Sequence, residues 1–137
     1  MSGQYVGVWR DGALLSVAGI HVFSETYSVA ALGNVTTHPD YRGQGLATVA
    51  TAALCKQLRE RVSHISLNVH GDNTRAIRTY ERLGFARVAV YGEYTLVGRL
   101  ARMDAGITSV RLEVIVAYGF GSPALTQLSR FEYQMTH

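Results

Sequence analysis

With 137 residues, 47% of them hydrophobic and 17% charged, the chain has the length of one domain with its own core and is too apolar to be disordered. The formal charge of +3 comes from 13 basic residues scattered without a Lys/Arg-rich run, so nucleic acid is not an expected partner, although a mild positive bias suits an anionic ligand. No apolar run reaches the roughly 18 residues that span a bilayer, and no basic-then-apolar leader opens the chain, which points to a cytosolic (cytoplasmic) protein without a membrane partner. Cys55 is the single cysteine, read as a small apolar residue of a helix, and the five histidines show no metal-ligand spacing, so neither a disulfide nor a metal is expected.

Tyr5 to Arg10 and Ala13 to Val22 read as strands joined by Asp11-Gly12, a dipeptide that supplies the positive φ of a tight hairpin turn. A turn around Ser24 to Ser28 leads into a third strand, Val29 to Thr37, completing an antiparallel meander. There the β-run ends in Val35-Thr36-Thr37-His38-Pro39-Asp40-Tyr41-Arg42-Gly43-Gln44-Gly45-Leu46-Ala47-Thr48 and restarts as a helix through two glycines. Such a turn reads as a backbone cradle for phosphate: Gly43 and Gly45 remove side chains where the anion would approach, and the following helix aims its free N–H groups there. Leu46 and Ala47 occupy the place where a nucleotide-hydrolysing P-loop needs its Lys, and a dinucleotide fold would need another glycine spacing.

From Gly45 to about Arg61, Leu46, Val49, Ala50, Ala53, Leu54 and Leu58 recur at helical spacing. The return strand is His64 to Val69, and strand, helix and parallel strand make a right-handed crossover that sets the cradle at the carboxyl edge of a sheet. Asp72 or Asn73 can cap a second helix, which Gly84 ends in a left-handed cap. Phe85 to Tyr91 and Tyr94 to Leu100 read as two more strands, and Ser109 to Tyr118 alternates cleanly as another. Ser122-Pro123 then opens a short helix with Leu125, Leu128, Phe131 and Met135 on one stripe.

The Arg42-x-x-Gly45-x-Ala47 pattern resembles the pyrophosphate-binding motif of the GNAT acetyltransferase superfamily. A second block, Leu67 to Phe85 with its Tyr80-Glu81-x-Leu83-Gly84-Phe85 ending, resembles that superfamily's next strand and helix almost position for position. The likeness covers about residues 14 to 99, and Leu32-Gly33-Asn34-Val35 is similar to the glycine N-acyltransferase-like branch. It implies an α/β (α+β) GNAT acyl-CoA N-acyltransferase fold, a mixed central sheet flanked by helices. Residues 1–100 would be the acetyl-CoA-binding core and 101–137 a C-terminal strand-helix extension of the same domain.

The resemblance also implies roles. Backbone groups of Val35, Thr36 and Thr37 would hold the pantetheine arm, with the Val35 N–H polarising the thioester carbonyl, and the amides of Arg42, Gly43, Gln44, Gly45, Leu46, Ala47 and Thr48 would bind the pyrophosphate. Asn73 would touch the pantetheine or acetyl group, or simply cap its helix. Tyr80, on a stripe with Ala76, Ile77 and Leu83, would protonate the departing thiolate. Where some members carry a basic glutamate, this chain has Ala31; Glu25, Glu93, His21, His38 and Glu113 are the candidate bases, or a water chain does the work. Most members also begin with a strand and two helices that wall the acceptor groove, absent from this sequence, so the tail or a second subunit is expected to cover the sheet. The expected activity is acetyl transfer from acetyl-CoA to a primary amine, a small molecule more than a protein, in a homodimer that shares its tails. A non-catalytic CoA-binding module acting through a dimer interface is the alternative, and an acetyltransferase directed at nucleic acid a distant third.

Overall fold

The computed structural model describes residues 4–97 and 109–121. Nine elements follow in order: β1 (Tyr5–Arg10), β2 (Ala13–Ser24), β3 (Val29–Thr37), a 3-10 turn (Pro39–Tyr41), α1 (Leu46–Leu58), β4 (His64–His70), α2 (Thr74–Arg82), β5 (Ala86–Val97) and β6 (Ser109–Gly121). The strands form one six-stranded sheet in the order β1-β2-β3-β4-β6-β5, with β3 and β4 parallel and every other neighbouring pair antiparallel. This is the expected mixed α/β architecture. Buried residues of α1 and α2 join one cluster, so the two helices lie on one face and touch each other.

Local chemistry explains the sharp boundaries. Asp11 (φ 50°) and Gly12 (φ 77°) form the left-handed pair of the hairpin turn. Gly84 (φ 96°) closes α2: the Phe85 N–H reaches the Tyr80 carbonyl and the Gly84 N–H the Glu81 carbonyl, each at 3.1 Å, the paired bonds of a Schellman cap. In α1, Ala50, Leu54 and Leu58 stand four residues apart and are buried against β2 and β3 beside Ala18, Leu32 and Ile65.

Four expectations change. The helix predicted over Gly45 to Arg61 runs Leu46–Leu58, and its buried stripe excludes Val49, 56% exposed, but includes Thr51. The two strands predicted on either side of Gly92 are one, β5, because β6 pairs with it without a break from Tyr91↔Ile115 through Gly92↔Val114 to Tyr94↔Leu112. Residues 98–100 and the helix expected from Ser122 lie outside the described residues. The largest change concerns the tail strand. Rather than needing a partner's edge, β6 is inserted into its own sheet between β4 and β5 and is paired along both sides. An exchanged tail strand is therefore no longer an argument for a dimer, since folding back costs no association entropy. Along β6, Ile115, Val116, Ala117 and Tyr118 are all buried, in place of the one-sided burial its alternation predicts, while Val114 is half exposed.

Candidate active site

The site begins where β3 leaves its neighbour. The β3–β4 pairing consists of Val29↔His64, Ala30↔Ile65 and Ala31↔Ser66, after which the two strands part while β4 goes on pairing with β6 as far as His70↔Ile115. Asn34 (φ 54°) sits in a bulge of β3 between Gly33, opposite Gly19, and Thr36, opposite Val17. Asparagine tolerates this left-handed conformation, and a bulge of this kind bends its strand. Beyond it the backbone alternates in a fixed sense. The His38 N–H donates to the Leu15 carbonyl on β2 at 2.7 Å, and the Thr36 carbonyl accepts from the Ser16 hydroxyl at 3.0 Å. The polar groups of Val35 and Thr37 consequently face the other way, into the gap between β3 and β4. Ser16, 2% exposed, also meets the Thr37 hydroxyl at 2.9 Å and so pins the strand end from beneath.

The cradle follows directly. Gly43 (φ 79°) and Gly45 (φ 76°) are both left-handed, and a Cβ built on either meets nothing within 4 Å, so the backbone there borders open space. Gly45 is the N-cap of α1 and provides no side-chain cap. The first intrahelical bond is Val49 N–H to the Gly45 carbonyl at 3.1 Å, which leaves the amides of Leu46, Ala47 and Thr48 directed outward at the positive end of a 13-residue helix. Arg42 ties the cradle to the strand by donating from Nε to the Thr37 carbonyl at 3.3 Å, while Gln44 is exposed between the two glycines. The predicted residues 35–37 and 42–48 are thus brought together at one carboxyl edge of the sheet.

Tyr80 lies on the inner face of α2, where Ala76, Ile77 and Leu83 pack against the same core. Its ring is 8% exposed and meets Phe85 edge to face at a centroid distance of 6.0 Å. Burial raises its pKa above the ordinary phenol value, so the hydroxyl keeps its proton well beyond neutrality, the state a proton donor needs. None of the described hydrogen bonds ends on that hydroxyl. Asn73 caps α2, its Oδ1 accepting from the Ala76 N–H at 3.2 Å, so the capping reading of this residue is realised in the structure.

Two residues bearing on the site carry no sequence signal that would have singled them out. Arg10, at the end of β1, brings its guanidinium 6.0 Å from the Tyr41 ring centroid and adds a cation beside the cradle. Ser16 resembles any strand serine until the fold buries it under Thr36 and Thr37. Away from the site, Ala52, Cys55, Lys56, Arg59, Leu83, Phe85 and Phe120 line a cavity of about 300 Å³ between the helices. Burial pushes the Cys55 thiol up to about 11 against a smaller opposing pull from Arg59, which leaves it a poor nucleophile near neutrality. Among the described residues no cluster of His, Cys, Asp and Glu could hold a metal ion, and no helix is long and apolar enough to cross a membrane.

The sheet splits between parallel strands with an uncapped helix start at the split, and residues 2–85 match the acetyltransferase (GNAT) family. The chain belongs to that family. Among curated relatives it is 39% identical over 87 residues to mycothiol acetyltransferase of Kytococcus sedentarius, covering 62% of this chain and 28% of that protein. It is 49% identical over 53 residues to the protein of the same name from Rhodococcus erythropolis, covering 38% and 18%. The chain therefore spans less than a third of the length of these relatives. Among solved structures, the ribosomal-protein-S18-alanine N-acetyltransferase of Escherichia coli superposes with a TM-score of 0.65 at 24% identity, over 88% of this chain and 70% of that one. The yncA protein of Salmonella typhimurium, solved with its cofactor acetyl-CoA, superposes with a TM-score of 0.62 at 18% identity, over 81% and 60%. At these identities the superpositions establish the fold.

Proposed function

We propose that the protein transfers an acetyl group from acetyl-CoA to a primary amine. The observation that carries this reading is the convergence, at one sheet edge, of the inward-facing backbone of Val35 and Thr37 with the uncapped, glycine-flanked start of α1. A diphosphate suits the outward amides of residues 42 to 48 and the nearby guanidiniums of Arg42 and Arg10. An amide-bearing arm suits a strand edge whose hydrogen bonds are open. When bound, acetyl-CoA supplies an activated acetyl thioester.

The chain's own groups then have defined tasks. The Val35 N–H donates to the thioester carbonyl, and the Thr37 backbone holds the arm behind it. The Tyr80 hydroxyl, kept neutral by burial, gives its proton to the departing sulfur. Asn73 keeps α2 in place through its cap and has its Nδ2 left for the cofactor arm. A small acceptor is favoured by the relatives, named as mycothiol acetyltransferases; a place near the glycine N-acyltransferase-like branch rests on Leu32-Gly33-Asn34-Val35 alone.

A second reading, a CoA-binding module without catalysis, draws on Ala31, which offers no base at its position on β3. One experiment separates the two. Acetyl-CoA should raise the melting temperature of the protein, and thiol should be released when a panel of primary amines is added. A melting shift with no thiol release from any amine would select the binding module, and no melting shift would reject both.

A further inference from the structure

The amine that attacks the thioester must lose a proton, and the family resemblance leaves the acceptor of that proton open. Most of the candidates are committed elsewhere or lie away from the split. Glu25 is paired with Arg61 at the opposite end of β3. Glu93 and Glu113 are register partners on β5 and β6, beyond β4 from the gap. His38 lies past the end of β3 with its Nδ1 accepting from the Asp40 N–H at 3.2 Å.

His21 is placed differently. On β2, Ile20 pairs with Leu32 and Val22 with Ala31, so His21 is the extra residue of a bulge, a device that re-aims a side chain. It leans onto β3 over Gly33, where a built Cβ would lie 2.9 Å from the His21 Cβ and 3.6 Å from its Cγ. Any side chain at position 33 would displace the imidazole. Gly33 lies just past the point where β3 and β4 part after Ala31↔Ser66, on the face away from the helices. Along β3 the cradle, Thr37, Val35 and Gly33 succeed one another in a single direction, so His21 stands ahead of the position assigned to the thioester carbonyl. Gly33 and Val35 flank the Asn34 bulge, and two residues of chain span at most about 7 Å, the reach of a side chain or of one water. His21 is exposed, and none of the described hydrogen bonds ends on it.

We infer that His21 is the general base of the proposed transfer, an assignment that rests on that reading of the site. As the amine nitrogen bonds to the carbonyl carbon, the nitrogen becomes acidic and its proton passes to the imidazole, directly or through one water. The carbon–sulfur bond breaks with its electron pair going to sulfur, which takes a proton from Tyr80, and solvent then returns a proton to Tyr80 and removes one from His21. Imidazole suits this task because its neutral form carries one unprotonated ring nitrogen that can accept a proton. Tyr5 on β1 packs over Gly19, the register partner of Gly33, and β3 contributes no titratable side chain.

The test uses the whole chain with acetyl-CoA and the best amine of the panel. His21→Gln should keep the melting shift given by acetyl-CoA, lower thiol release about a hundredfold or more, and lose the acidic limb of the wild-type pH–rate profile. In His21→Ala, added imidazole should restore part of the turnover. Gly33→Ala, which pushes the ring aside and leaves it chemically intact, should lower turnover less and keep the acidic limb. A folded His21→Gln protein with wild-type turnover and an unchanged acidic limb overturns the assignment alone. Wild-type protein that binds acetyl-CoA but releases thiol with no amine overturns the transferase reading, and His21 as base falls with it.

Discussion

The two helices begin in opposite ways. At the start of α2 the Asn73 side chain closes the first turn by accepting from the Ala76 N–H, whereas at the start of α1 Gly45 has no side chain to do so and the amides of Leu46 to Thr48 stay directed outward. An uncapped helix start of this kind, with glycine as the N-cap, forgoes only about a few tenths of a kcal/mol relative to a capping side chain. It is also reached through two left-handed glycines bordered by open space. The donors that α2 satisfies internally are the ones α1 leaves open, and in the proposed reading these are what it offers to an anion.

The largest effect should come from closing α1 with charge. Gly45→Asp keeps a residue type that tolerates a φ of 76° but sets a carboxylate at the proposed phosphate position, where at about 4 Å and an effective dielectric of 20 the repulsion is about 4 kcal/mol per unit charge. Acetyl-CoA affinity should fall by roughly a hundredfold to a thousandfold on this scale. Gly45→Asn, of similar shape and without charge, should lose roughly tenfold, or about 1.4 kcal/mol. Gly45→Val is the less informative variant, since a β-branched residue at positive φ strains the backbone whatever binds there. Calorimetric titration of the folded variants measures the order; equal affinities for Asp and Asn would remove the phosphate from this position.

Next in size is Tyr80→Phe. Packing against Phe85 is nearly kept, so acetyl-CoA binding should be unchanged while turnover drops by roughly tenfold to a thousandfold. Equal turnover would return Tyr80 to a packing role. Opening the closed helix should cost less: Asn73→Ala removes the cap of α2 and should lower stability by about 1 kcal/mol, with less than a tenfold change in affinity. Denaturant titration and the same calorimetry read both quantities, and an affinity loss equal to that of Gly45→Asp would erase the contrast between the helices.

The smallest effect lies between the helices. Because burial holds the Cys55 thiol at about 11 against an ordinary 9.0, the neutral form is favoured in the folded state; its contribution is complete below pH 9 and is lost as pH rises through about 11. Melting temperature should therefore fall less steeply over that interval in Cys55→Ala than in the wild type, and parallel curves would show that the thiol does not contribute.

Features governed by a few adjacent residues are legible in the sequence. Asp11-Gly12, Asn73 and Gly84 announce a turn, a cap and a helix stop through their own backbone preferences, and the glycines of the cradle do the same for the site. Features set by non-local pairing are not. The place of β6 between β4 and β5 depends on which edges remain free, and the unbroken run of β5 through Gly92 depends on β6. The split at Ala31 and the bulges at His21 and Asn34 arise from register, which no single strand records. A polarity pattern likewise places serine and threonine outside, so the burial of Ser16 and Thr51 is invisible to it.

Backbone hydrogen exchange with and without acetyl-CoA addresses the central claim most directly, because it reports on the amides that the account assigns to the ligand. The account predicts slowed exchange at Val35, Thr37 and the amides of residues 42 to 48, with little change across Thr74 to Ile77, already closed by Asn73. Acetyl-CoA binding that leaves residues 42 to 48 unprotected, or protects the start of α2 equally, would contradict it.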